Sequence, residues 1–96
     1  MKLVVRDRAY DDLRNIRDWI ARDRPMTAAD VISRLLHSIE RLAVFPRIGR
    51  KGRALGTLEW IVPGLPFIVV YAIDDDAEIV VVIAVFHTAR ERPEAY

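Results

Sequence analysis

The chain has no cysteine. That excludes disulfides, thiolate metal sites and a cysteine nucleophile, and it fits a reducing cytoplasm. Histidine is nearly as scarce: His37 and His87 stand fifty residues apart, too sparse for a histidine metal site. No long apolar run occurs. The longest, Ile79 to Phe86, has eight residues, whereas a membrane-crossing helix needs roughly 20. Charge interrupts the first six residues, Met1 to Arg6, too early for a signal peptide. The expectation is a cytoplasmic protein with no membrane partner. Lysine is also rare: of 15 cationic side chains 13 are arginine, although the net charge is only +1. Guanidinium groups favour planar, bidentate contacts to phosphate or carboxylate.

With 52% hydrophobic and 30% charged residues, the 96-residue chain can fill one core and solvate its surface. A single domain over 1–96 is expected. Its organising stretch is Pro66 to Tyr96. Two β-branched runs, Phe67 to Ile73 and Glu78 to Phe86, flank Asp74-Asp75-Asp76, which predicts an antiparallel hairpin with a polar turn. Turn chemistry accounts for the three aspartates better than a metal does. The second run ends in a polar tail carrying His87, Arg90, Arg92 and Tyr96.

Upstream, Lys2 to Arg6 reads as a short strand and Asp7 to Arg24 as a helix. Tyr10, Leu13, Ile16, Trp19 and Ile20 fall on one face of that helix, and Arg14–Asp18 and Asp18–Arg22 can pair on the other. Arg24-Pro25-Met26 breaks the helix, and Thr27 with Asp30 suggests a capping box opening a second one. Val31, Leu35, Ile39 and Leu42 form its apolar stripe, with His37 on the solvated side. After Phe45-Pro46 comes a glycine-bracketed basic loop, Gly49-Arg50-Lys51-Gly52-Arg53, which lacks the Lys-Ser/Thr ending of a P-loop. Thr57 to Val62 alternates as a strand, with Leu58, Trp60 and Val62 on one side and Thr57, Glu59 and Ile61 on the other. The predicted class is α+β, in the order β-α-α-β-β-β: an antiparallel sheet with a helical hairpin packed on one face.

No nucleophile-base pair can be assembled, and no cofactor is indicated. The candidate site is cationic. Arg50, Lys51 and Arg53 form its target-binding side together with Arg92, and His87, Arg90 and Tyr96 are its catalytic candidates if the protein is a nuclease. If the last three strands bring loop and tail to one rim, guanidinium groups could stabilise a scissile phosphate while Tyr or His handles a proton.

Taken together, Phe45-Pro46, Gly49-Arg50, Val62-Pro63-Gly64-Leu65-Pro66-Phe67, Val70-Tyr71 and Val85-Phe86-His87-Thr88-Ala89-Arg90 resemble the RelE/ParE superfamily of toxins from bacterial type II toxin-antitoxin systems, over essentially the whole chain. The resemblance implies a growth-inhibiting toxin of the kind linked to plasmid stabilisation, neutralised by a cognate antitoxin encoded nearby. It also implies one of two targets. RelE-like members cleave ribosome-bound mRNA, with an arginine and a tyrosine six positions later that Arg90 and Tyr96 match; ParE-like members poison DNA gyrase. The arginine that RelE-like nucleases carry at the start of the penultimate strand falls here at Phe67 or Ile68, and their lysines are replaced by Leu58, Glu59 and Trp60. The His87-Thr88-Ala89-Arg90 ending is closer to ParE-like proteins. The resemblance therefore leans towards gyrase inhibition, with the mRNA endoribonuclease as the alternative.

Overall fold

The computed structural model describes residues 1–89. Strand β1 (Lys2–Val5) leads into helices α1 (Asp7–Ala21) and α2 (Pro25–Val44), followed by β2 (Arg50–Lys51), β3 (Leu58–Ile61), β4 (Phe67–Asp74) and β5 (Ile79–His87). These strands form one sheet in the order β1-β5-β4-β3-β2, with the helical hairpin against one face. The expected α+β architecture is present, with two additions. A two-residue strand, β2, makes the sheet five-stranded, and β1 pairs with β5 in parallel, so the sheet is not antiparallel throughout. Parallel pairing needs a crossover. The helices and the three strands between supply it.

The β4–β5 hairpin is the centre of the sheet and is buried on both sides, so its strands read as continuous apolar runs. Phe67, Val69 and Tyr71 point to the helices; Ile68 and Val70 point away. A bulge changes the parity of β5. Tyr71 faces Val82 while Val70 faces Ala84, leaving Ile83 as the extra residue. Val80, Val82 and Val85 can thus all face the helices, while Ile83, Ala84 and Phe86 belong to the opposite side. At the turn, Asp74 accepts the Ala77 N–H through Oδ1 at 3.0 Å, and Glu78 adopts φ 55°. The aspartates do act as turn residues.

Helix α2 buries Ala28, Val31, Leu35, Ser38, Ile39 and Leu42, a stripe at three- and four-residue spacing. Ser38 is tolerated there because its hydroxyl accepts the Trp60 indole N–H at 3.2 Å. The expected capping box at Thr27 is not used. Helix α2 already begins at Pro25, whose fixed φ suits the first helical position, and its N-cap Arg24 makes no side-chain cap. On α1 the buried face is Ala9 and Leu13 with Ile16 and Ile20 beside them, whereas Tyr10 and Trp19 stay largely exposed. The contact stripe is narrower than the apolar stripe in the sequence. The expected pairs of Asp18 with Arg14 and Arg22 are replaced by Arg8–Asp12, Arg14–Asp11 and Arg17–Asp18. Exposed pairs of this kind add little stability, so which partner is chosen matters little.

Beyond Val82, which faces β1's last residue Val5, strand β5 runs on without β1 beside it. Helix α1 covers that stretch. The Asp12 carboxylate accepts the Val85 N–H at 2.9 Å, so a main-chain donor that has lost its strand neighbour is satisfied by a helix side chain.

Candidate functional site

The basic loop leaves α2 at Phe45, whose N–H still bonds the Arg41 carbonyl at 2.8 Å. Two side chains from the sheet then fix its course. The Tyr71 hydroxyl donates to the Pro46 carbonyl at 2.7 Å and accepts the Gly49 N–H at 2.9 Å. Tyr71 is fully buried, and burial raises its pKa above the usual phenol value against smaller lowering effects of the Gly49 N–H and Arg47. The approach is close enough to require glycine: a Cβ on Gly49 would lie 2.6 Å from the Tyr71 hydroxyl and 2.8 Å from the Glu59 carbonyl.

Glu59 is the second pin. It is only 1% exposed, although it lies on β3 between Leu58 and Trp60. Its carboxylate accepts the Arg53 N–H at 3.2 Å and faces the Arg50 guanidinium at 3.5 Å. A buried carboxylate needs such partners. β2 is itself held by Arg50 opposite Glu59 and Lys51 opposite Leu58. Nearby, Arg47 pairs with Asp75 at 2.8 Å across the surface.

The structure places the expected site residues in separate regions. Arg50, Lys51 and Arg53 occupy the β2–β3 arm. Glu59 and Leu58, which face Arg50 and Lys51, stand across Val70 and Tyr71 of β4 from Ala84 and Val82 of β5. His87 instead faces Phe67, at the far end of β4. The loop leaves the sheet at the opposite end, so His87 and the basic loop do not share a rim. The His87 ring meets Phe67 edge-on at 5.4 Å, and its Nδ1 accepts the Ala89 N–H at 3.0 Å. Arg90, Arg92 and Tyr96 lie outside the described residues.

Beside His87 runs a groove of about 880 Å³ between α1 and the end of β5, with Asp12, Ile16, Trp19, Phe67 and Val85 among its lining. Trp19 is 58% exposed there. Among the described residues no three His, Asp or Glu side chains converge as metal ligands, and no helix is long and apolar enough to cross a membrane. The arrangement suits contact: an ordered cationic arm at one end and, at the other, a groove that mixes apolar side chains with Arg8, Asp12, Asp18 and Arg22. Tyr71 and Glu59, which shape the arm, were missed as site residues. Glu59 carried a signal, an acid inside an otherwise apolar alternating strand; Tyr71 stood out only within the Val70-Tyr71 pair of the family resemblance, which says nothing of its bonds to the loop.

Comparison with known proteins gives a consistent result. Residues 3–92 match the family model described as "ParE toxin of type II toxin-antitoxin system, parDE". The chain is 34% identical over 87 residues to "Putative toxin Y4kP" of Sinorhizobium fredii, covering 91% of this chain and 88% of that protein. Its fold is similar to a chain of the chromosomal ParDE system of P. aeruginosa, with TM-score 0.81 at 17% identity over 91% of this chain and 95% of that one. It is also similar to a chain of the E. coli RelBE toxin-antitoxin complex, with TM-score 0.66 at 20% identity over 93% of this chain and 98% of that one.

Proposed function

The chain belongs to the ParE toxin family of type II toxin-antitoxin systems, and from that premise we propose that it arrests growth by binding and inhibiting DNA gyrase. The observation that carries this reading is Glu59. A sheet that promotes cleavage of a phosphodiester gains from cations aimed at the developing charge. Here β3 carries a buried carboxylate that draws Arg50 to itself. Of the described cations offered for target binding, Arg50 is therefore partly engaged within the fold, and Lys51 and Arg53 are left to meet a partner. Protein contact uses such charges without any proton-transfer machinery.

The partner that restrains the toxin is a cognate antitoxin encoded nearby. Structures similar in fold come from toxin-antitoxin complexes. The groove between α1 and β5, where exposed Trp19 and apolar Ile16 and Phe67 lie among the charged Arg8, Asp12, Asp18 and Arg22, offers a mixed apolar and charged seat for an antitoxin segment.

One purified sample assayed twice tests the target. Inhibition of gyrase supercoiling with ribosome-bound mRNA left intact is the expected outcome. Ribosome-dependent mRNA cuts that vanish in Arg90→Ala or Tyr96→Phe, with supercoiling untouched, would replace gyrase by mRNA as the target. Co-expression with the adjacent small open reading frame should restore growth.

A further inference from the structure

The tip of the β2–β3 arm, residues 52–57, is more ordered than a surface connection needs to be. The Gly52 N–H bonds the Thr57 carbonyl at 2.8 Å, and the Ala54 carbonyl accepts both the Thr57 N–H at 3.2 Å and the Thr57 hydroxyl at 2.6 Å. Gly56 takes φ 78°, the conformation required at the third position of a type II turn. Leu55 precedes it and sits at the apex. Buried Glu59 holds Arg53 from below. Yet Leu55 packs on nothing: it is 97% exposed, more than any other large hydrophobic side chain of the described residues.

An isolated exposed leucine is ordinary on a protein surface. Leu55 differs in its setting. It crowns a braced turn, and the side chains of Lys51 and Arg53 beside it have no ion-pair partner among the described residues, whereas Arg47 and Arg50 each have one. Bracing lowers the entropic cost of presenting such a tip to a partner. A nucleic acid would use the cations and have no use for the leucine. A protein surface with an apolar socket rimmed by carboxylates would use all three.

We infer that this arm is the finger by which the toxin engages its target protein, Leu55 entering an apolar socket and Lys51 and Arg53 pairing with acidic groups on its rim. The inference rests on the proposal that the toxin acts by protein contact. It assigns the target to the finger and leaves the antitoxin to the groove beside α1, at the other end of the sheet. Six residues cannot bury the roughly 800 Å² per partner of a stable complex. The finger is one anchor of a larger contact, and anchors carry a disproportionate share of affinity.

The full chain, purified with its antitoxin and compared as wild type, Leu55→Met, Leu55→Glu and Lys51→Glu/Arg53→Glu, tests this. Four properties are measured: melting temperature, antitoxin affinity, growth arrest on induction and inhibition of gyrase supercoiling. Leu55→Glu and the double reversal should melt as wild type, keep antitoxin affinity, abolish growth arrest and weaken gyrase inhibition at least tenfold. Leu55→Met, which keeps an apolar side chain of similar volume, should lose less gyrase inhibition than Leu55→Glu. Undiminished growth arrest in both Leu55→Glu and the double reversal overturns the finger. So does a loss of antitoxin affinity with toxicity retained, which would give the finger to the antitoxin. If the wild type arrests growth without inhibiting gyrase, the gyrase reading fails, and the growth-arrest comparison still judges the finger.

Discussion

The two hairpins of this sheet are held by different forces. In β4–β5, Phe67 to His87, nearly every side chain from Phe67 to Tyr71 and from Val80 to Phe86 is buried, so stability comes from apolar area on both faces. In β2–β3, Arg50 to Ile61, β2 is wholly exposed, and the arm is placed by directional polar contacts from Tyr71 and Glu59. Apolar area tolerates a change of shape if volume is kept, whereas a hydrogen-bonded pin is either made or lost. One hairpin is a foundation with diffuse support; the other is a projection aimed by a few atoms.

Substitutions in each region would break or sharpen this contrast. The largest effect is expected from Phe67→Ala, which empties a buried site on β4 and removes the ring beneath His87. It should cost about 3–5 kcal/mol, read as a lower urea midpoint, and should lower protection throughout β4 and β5.

Tyr71→Phe should cost less, about 1–2 kcal/mol, because the ring still fills the core while the Gly49 N–H and Pro46 carbonyl lose a partner. Hydrogen exchange should rise at Gly49 and along the arm, with the β4–β5 hairpin little changed. The same residue adds a pH signature. Burial raises the folded-state pKa of Tyr71 above its ordinary value of 10.0, so below pH 10 both folded and unfolded states keep the proton and its contribution is fully present. Above that pH the unfolded state ionises first, and stability falls until the folded-state pKa is passed. Tyr71→Phe should flatten that alkaline slope in denaturant titrations.

Arg47→Ala marks the smallest effect. Its pair with Asp75 is exposed on both sides, so no more than about 0.5 kcal/mol should be lost. Raising the salt should erase the difference from wild type.

Much of the fold was legible in the sequence where the information is local. The α2 stripe of Val31, Leu35, Ile39 and Leu42, the alternation of Leu58 to Val62 and the aspartate turn are short-range patterns, and each element formed where the pattern placed it. Long-range pairing was not legible. Nothing in Lys2 to Val5 says that it lies parallel to Ile79 to Val82, and nothing in Tyr71 says that it bonds Gly49, 22 residues away. The cationic loop was recognised as a cluster from composition. Its separation from His87 depends on strand register, which the bulge between Val70 and Tyr71 shifts, and on β2, which at two residues has no detectable period. Tyr10 and Trp19 point outward because periodicity gives the side of a helix, not how wide a contact it makes.

The bond from Asp12 to Val85 makes one amide proton a reporter for the wrong element. Although Val85 is in a strand, its N–H is sheltered by a helix. Its exchange should follow the lifting of α1 from the sheet, and Asp12→Asn or Asp12→Ala should accelerate it far more than that of neighbouring Ala84, whose residue faces Val70 on β4. A spectroscopist watching that single signal would be timing the undocking of the first helix, while the adjacent signals time the unzipping of the sheet.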